Sequence, residues 1–193
     1  MSAKYLGREI IVGEHVYPPS EDTFLLLKAA IEEVRDSESV LEVGTGCGII
    51  AKFLGEKARV VAVDLNPHAV RCARANGVEV IRTDLLAGLK PEKQFDIIIF
   101  NPPYLPAGRK KSEGWLEKAW DGGENGRALI DRFLKDVLSY LKANGRLLLL
   151  VSSLTEVTEV EEKMQSLGFT VKRQMKERYF FEDLVVLAGR LQG

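Results

Sequence analysis

A doubly wound α/β domain on a mostly parallel sheet is what this sequence predicts, and three observations carry that reading. Segments of strand character alternate with segments of helical period from about Val40 to Leu167, the pattern of repeated β-α-β units. The run Ile97-Ile98-Ile99-Phe100 shows no polar alternation, so both faces of its strand should be covered, as between two helix layers. Phe169 to Arg178 and Phe181 to Ala188 follow each other with little room between them, which predicts a closing antiparallel pair.

Taken in order, Tyr5 to Val12 carries a short strand-like piece, and Gly7 suggests a small hairpin. His15-Val16-Tyr17-Pro18-Pro19 is an extended lead-in to Ser20, an expected N-cap. A helix should follow to about Val34, with Phe24, Leu27, Ile31 and Val34 on one stripe. Its first turn holds Glu21 and Asp22, which suit the helix dipole but in a cleft could equally face a cationic ligand. Val40 to Val43 reads as the first central strand, Gly44 to Gly48 as a tight loop, and Ile49 to Lys57 as a helix. Arg59 to Val63 is the next strand, ending in Asp64; Asn66 then caps a helix that starts at Pro67 and runs to Asn76-Gly77. Val78 to Thr83 is the third strand, ending in Asp84, and Phe95 to Phe100 the fourth. A long loop reaches Glu124, a helix runs from about Asn125 to Leu141, and Gly145 closes it. Arg146 to Ser152 is the fifth strand and Thr155 to Leu167 the last helix.

With 193 residues, 46% hydrophobic and 28% charged, the chain suits one domain with its own core, residues 1–193, led by a short extension of about 1–19. A net charge of −1 gives no global pull towards nucleic acid or anionic membrane. Arg109-Lys110-Lys111 is the local basic cluster. Cys47 and Cys72 are too few and ill-spaced for a disulfide framework or a zinc site. No signal peptide or membrane-length apolar run is visible, so a cytoplasmic location is expected.

The chemistry collects at the strand ends. Two consecutive prolines stop the fourth strand, which holds Asn101 at its carboxyl end, where open α/β sheets place their ligands. A stiff turn would be the plain alternative. Gly44-Thr45-Gly46-Cys47-Gly48 lets backbone approach a ligand and aims N–H groups at it, though a tight strand-to-helix turn needs the same residues. Three acids follow in order: Glu42 before the loop, then Asp64 and Asp84. Asp64 can accept from both hydroxyls of a ribose, and Asp84 from an exocyclic amine such as adenine N6 while Leu85 packs on the ring. Glu42 would repel a pyrophosphate but suits a cationic ligand. Adenosine joined to a cation describes S-adenosylmethionine. Asn101 and the Pro102 carbonyl can each accept one N–H of a planar amide or amine, leaving its nitrogen free for in-line attack, and Tyr104 can wall that pocket. The arrangement needs no acid/base dyad, and His15 and His68 are read as surface residues.

VLEVGTGCG, AVDLNP, TDLL and NPPY together resemble a class I S-adenosylmethionine-dependent methyltransferase of the amino-methylating type. VYPPSEDTFLLL and AWDGGENGRALIDRF narrow the resemblance to the archaeal and eukaryotic relatives of HemK, release-factor glutamine N5-methyltransferases. The resemblance implies a Rossmann-like, seven-stranded, mostly parallel sheet with helices on both faces and strand order 3-2-1-4-5-7-6. It implies methylation of the glutamine amide in the Gly-Gly-Gln motif of a peptide-chain release factor. Carried over, Tyr17, Thr23, Glu42, Gly44, Gly46, Asp64, Leu65, Asp84, Leu85 and Asn101 bind the cofactor, and Asn101, Pro102, Pro103 and Tyr104 form the catalytic acceptor site, with no metal in this chain. It also implies a small zinc-binding activator protein paired along the edge strand 78–83. The bacterial branch carries a further docking domain that this sequence does not show. Adenine in DNA or RNA, or a protein lysine, would present similar N–H groups to NPPY; a non-catalytic S-adenosylmethionine-binding scaffold is the reading from another class.

Overall fold

The computed structural model describes every residue except Met1, Leu6, 106–113, Trp120, Asp121, Glu124, Asn125, Phe180 and Gly193. The Arg109-Lys110-Lys111 cluster and much of the expected long loop therefore lie outside the described residues. The elements are β1 (Ser2–Tyr5), β2 (Arg8–Ile11), α1 (Glu21–Glu33), β3 (Ser39–Val43), α2 (Ile49–Leu54), β4 (Arg59–Asp64), α3 (Pro67–Ala75), β5 (Val80–Arg82) and β6 (Phe95–Phe100). They continue with α4 (Trp115–Lys118), α5 (Ala128–Asp136), β7 (Leu141–Ser152), α6 (Val157–Ser166), β8 (Phe169–Tyr179) and β9 (Glu182–Leu191).

Seven strands form one sheet in the order β5-β4-β3-β6-β7-β9-β8. Counted from β3 as the first, this is 3-2-1-4-5-7-6, the order implied by the resemblance. β9 runs antiparallel to both β7 and β8. β1 and β2 form a separate hairpin through Gly7 at φ +81. The β6 sequence explains its central place: Ile97 and Ile99 pack with α1 and α2, while Ile98 and Phe100 pack with α5 and α6 on the opposite face. All four are buried, and each is worth about 1.5–3 kcal/mol relative to exposure. Asp96, the one polar residue of that strand, accepts from Ser39 N and Lys142 Nζ, both at 2.8 Å, and so ties the start of β6 to both neighbours.

Several elements differ from the sequence-based expectation. β5 is shorter: Val78 N is turned back to Ala73 O at 3.0 Å, while Glu79 O and Thr83 N still bond Ala62 N and Asp64 O of β4, at 2.9 and 3.0 Å. The fifth helix stops at Asp136, and Leu141 already pairs with Phe95; the expected break at Gly145 is a bulge inside β7, with Asn144 at φ +60. On α1 the buried face is Leu25, Leu26, Leu27, Ala29 and Ala30, whereas Ile31 is exposed. That face is wide because the lead-in also covers the helix, with Tyr5 against Phe24 at 5.6 Å. Within the expected long loop, Trp115–Lys118 forms a single helical turn.

Candidate active site

The carboxyl ends of β3, β4, β5 and β6 share one cleft, partly open to solvent. All thirteen residues singled out from the sequence line it: Tyr17, Thr23, Glu42, Gly44, Gly46, Asp64, Leu65, Asp84, Leu85, Asn101, Pro102, Pro103 and Tyr104. His15 and His68 do not line it. They stack edge-on at 4.8 Å elsewhere, beside Arg71.

The glycine loop is held rigidly at the end of β3. Gly44 N and Thr45 N both donate to Val63 O, at 2.8 and 3.2 Å. Gly48 has to be glycine: it sits at φ +84, and a Cβ there would lie 2.9 Å from Val78 Cγ2 and 3.0 Å from Ala73 Cβ. Glu42 is buried below the loop, where its Oε2 accepts from Thr45 Oγ1 at 2.6 Å and Ala51 N at 3.0 Å. Burial outweighs those bonds and pushes the carboxyl up to about 8. A cation brought into the cleft would favour its ionised form.

Asp64 anchors the loop from the next strand, accepting Gly46 N at 2.9 Å on Oδ2 and Asn66 N at 2.8 Å on Oδ1. Each oxygen keeps a further lone pair for a ligand hydroxyl. Burial raises its pKa, opposed by these backbone donors. Asp84 is half-exposed and forms an ion pair with Arg132 of α5 at 2.7 Å. Leu85 follows at φ +48, an uncommon conformation for a branched side chain, and still lines the cleft.

Asn101 carries the decisive geometry. Its Nδ2 donates to Asp22 Oδ2 at 3.0 Å, while its Oδ1 is buried with no hydrogen-bond partner. A carboxylate only accepts, so the amide cannot be turned the other way. Asp22 is in turn fixed, its Oδ1 accepting Thr23 N at 2.6 Å, Thr23 Oγ1 at 3.1 Å and Tyr17 OH at 3.3 Å. The result is an unpaired amide oxygen on a residue of the cleft wall, a site for an N–H donor. Tyr17 is pushed up to about 12, by burial first and then by Asp22. Tyr104 is raised for the same reasons.

Sequence reasoning weighed Asp22 as a dipole partner or cation ligand and did not see it as the orienter of Asn101, which lies 79 positions away. It also missed Arg132, and Trp115 and Leu129, which line the cleft. The signal for Asp22 was the acidic first turn; Arg132 and Leu129 lie in the AWDGGENGRALIDRF segment that carries the resemblance, but no spacing rule points either at the cleft. Cys47 and Cys72 are both buried and free, and among the described residues no three potential metal ligands gather.

Residues 21–118 match the family model described as the methyltransferase small domain. A Methanocaldococcus jannaschii protein named "Putative protein N5-glutamine methyltransferase MJ0928" is 36% identical over 190 residues, covering 94% of each chain. The chain belongs to this methyltransferase family, on its HemK-related branch. Human methyltransferase HEMK2 is 37% identical over 189 residues, covering 89% of this methyltransferase and 88% of its relative. Among solved structures, a chain of the E. cuniculi Mtq2–Trm112 complex, responsible for methylation of the eRF1 translation termination factor, superposes with a TM-score of 0.79. That match has 29% identity and covers 92% of this chain and 99% of that one. Family and fold imply use of S-adenosylmethionine. Among the described residues no helix is long and apolar enough to cross a membrane.

Proposed function

We propose that this methyltransferase methylates the side-chain amide nitrogen of the glutamine in the Gly-Gly-Gln motif of a peptide-chain release factor. The observation that carries this is the buried, unpaired Oδ1 of Asn101, whose amide Asp22 holds in place on a residue lining the cleft that also holds Glu42, Asp64 and Asp84. The donor set fits S-adenosylmethionine: a glycine loop, an acid for the ribose, one for adenine N6, and a buried carboxyl for the cationic end. When bound, the cofactor supplies an electrophilic methyl group. Asp64 holds the ribose, with Leu65 beside it. Asp84 and Leu85 hold the adenine, and Arg132 keeps the Asp84 carboxylate in place. Tyr17, Thr23, Glu42, Gly44 and Gly46 enclose the methionine end.

Asp22 fixes the Asn101 amide so that its oxygen faces the acceptor. Asn101 Oδ1 and the Pro102 carbonyl accept the two amide N–H groups, and Pro103 and Tyr104 shape the slot around the planar amide. Positioning of this kind is worth about 7–11 kcal/mol in well-oriented systems. Tyr17 and Tyr104 stay protonated at neutral pH, so neither takes up the proton that methylation leaves; water does. The names of the M. jannaschii relative and of the Mtq2–Trm112 complex support the glutamine and release-factor parts of the reading.

A single methyltransferase domain over 1–193 and a cytoplasmic location belong to the same proposal. So does a small zinc-binding activator protein along β5, which lies at the sheet edge with Ile81 exposed. The edge offers less than its sequence suggested: Val78 and Val80 are buried, and Arg74 donates to Val80 O at 3.2 Å.

The test is to incubate the chain, with and without activator, with labelled S-adenosylmethionine and either a release factor or an oligonucleotide, then map the methyl group by mass spectrometry. Label on the Gly-Gly-Gln glutamine is expected. Label on adenine alone would overturn the reading.

A further inference from the structure

We propose that Gly126 is a positioning residue for the acceptor site, acting through the main-chain carbonyl of Tyr104. This rests on the acceptor reading of Asn101 to Tyr104. The glycine-rich segment before α5 stands out in the sequence, yet neither the cofactor nor the acceptor chemistry gives it a task. Its packing does. A Cβ on Gly126 would lie 2.4 Å from Tyr104 O and 3.3 Å from Tyr104 C, against backbone, and 2.9 Å from Thr155 Cγ2. Contacts under 3.0 Å to backbone cannot be accommodated without a shift of one of the two chain segments.

Neither segment has room to give. Gly122 N donates to Leu105 O at 2.8 Å, and Ala128 N donates to Gly122 O at 2.9 Å, so the glycine-rich stretch grips the residue after Tyr104 while it starts α5. α5 is pinned in turn by Phe133 against Phe100 at 4.8 Å and by Arg132 on Asp84. On the other side of Tyr104, Pro102 and Pro103 fix their own φ, so a push on the Tyr104 carbonyl is passed towards Asn101 and not absorbed. Gly126 thus works as the back wall against which the acceptor strand end is seated.

Gly126 also sits at φ +71, so loss of glycine strains the backbone wherever it occurs, and a control must separate the two effects. Gly168 is that control, with φ +93 and nothing within 4 Å of an added Cβ. Thr155→Ser removes the Cγ2 methyl while its hydroxyl still donates to Ser152 O, so it relieves the Thr155 contact and leaves the Tyr104 one.

The experiment compares wild type, Gly126→Ala, Gly126→Ala/Thr155→Ser and Gly168→Ala. It measures kcat and KM for a release factor with the activator present, the S-adenosylmethionine Kd by calorimetry, and hydrogen exchange of the Gly122 and Ala128 amides, which donate to Leu105 O and Gly122 O. Gly126→Ala should lower kcat at least tenfold, keep the cofactor Kd within twofold, and speed exchange at both amides. The double variant should not recover, and Gly168→Ala should keep wild-type kcat. Unchanged exchange at Gly122 and Ala128, recovery in the double variant, or a matching loss in Gly168→Ala would each overturn the inference. Failure of Gly126→Ala to fold where Gly168→Ala folds normally would overturn a role confined to positioning the acceptor site. A wild-type chain that leaves the release factor unmethylated counts against the proposed function instead, and the exchange readout still decides the role of Gly126.

Discussion

Asp22→Asn tests the acceptor geometry with almost no change of shape. Asp22 Oδ1 takes the Thr23 and Tyr17 donors, so the introduced amide keeps its oxygen there and turns its NH2 to where Oδ2 faces Asn101 Nδ2. Two NH2 groups cannot face each other, and Asn101 is forced to flip. Its oxygen then pairs with the introduced NH2, and its own NH2 points where the acceptor's N–H must sit. The flip pairs the introduced NH2 and leaves the Asn101 NH2 where the unpaired Oδ1 had been, so one buried polar group lacks a partner before and after, and Tm should move by only a few degrees. The acceptor loses one hydrogen bond and meets a donor in its place. At about 1–3 kcal/mol for a buried polar group left unpaired, kcat/KM should fall roughly 10- to 100-fold. The cofactor Kd should stay within a few-fold, since the introduced amide oxygen still accepts from Thr23 and Tyr17. Steady-state methylation of a release factor, with calorimetry for the cofactor, reads both numbers. A variant with wild-type kcat/KM would refute the claim that Asp22 sets the direction of the Asn101 oxygen.

Three further outcomes are expected. Asn101→Ala should abolish detectable methyl transfer while leaving S-adenosylmethionine binding largely intact; equilibrium dialysis beside the methylation assay checks this, and persistent turnover would show that Asn101 does not hold the acceptor. Asp64→Ala removes the ribose acceptor and the anchor of Gly46 N and Asn66 N, so the cofactor Kd should rise about 10-fold or more, from one or two hydrogen bonds to a charged group at roughly 1.5–3 kcal/mol each. Glu42, raised from 4.5 to about 8, holds a proton in the folded chain that the unfolded chain has lost over that window. Stability of the free protein should therefore fall as pH rises from 4.5 to about 8 and level off above it. Cofactor affinity should climb over the same range, because the carboxylate becomes anionic towards a cationic ligand. Glu42→Gln should flatten both trends in urea titrations and in calorimetry at about pH 5.5, 7 and 8.5, and parallel profiles for the two proteins would assign them to another group.

What the sequence disclosed follows from how far each interaction reaches along the chain. Strand β6 was legible because its apolar run and its two prolines are local facts, and the acids closing β4 and β5 were legible because a strand end is itself a local signal. Asn66 as the cap of α3 was equally plain, and its Oδ1 accepts His68 N at 2.9 Å. The Asp22–Asn101 and Asp84–Arg132 pairs span 79 and 48 positions and depend on how α1 and α5 are seated on the sheet, which no spacing rule encodes. The ends of α5 and β5 were misplaced for a related reason: helical period and β-propensity extend past the point where tertiary partners claim the backbone. The strand order came from the family resemblance and not from the residues alone.

A lone buried oxygen is an empty valence that costs the resting enzyme stability. Apolar residues at both Asn101 and Asp22 would remove that empty valence but strand the Thr23 and Tyr17 donors that Asp22 Oδ1 accepts, so the cost cannot be removed without creating another. The empty valence is thus built into the same network that seats the start of α1, and structure and chemistry share one residue, Asp22.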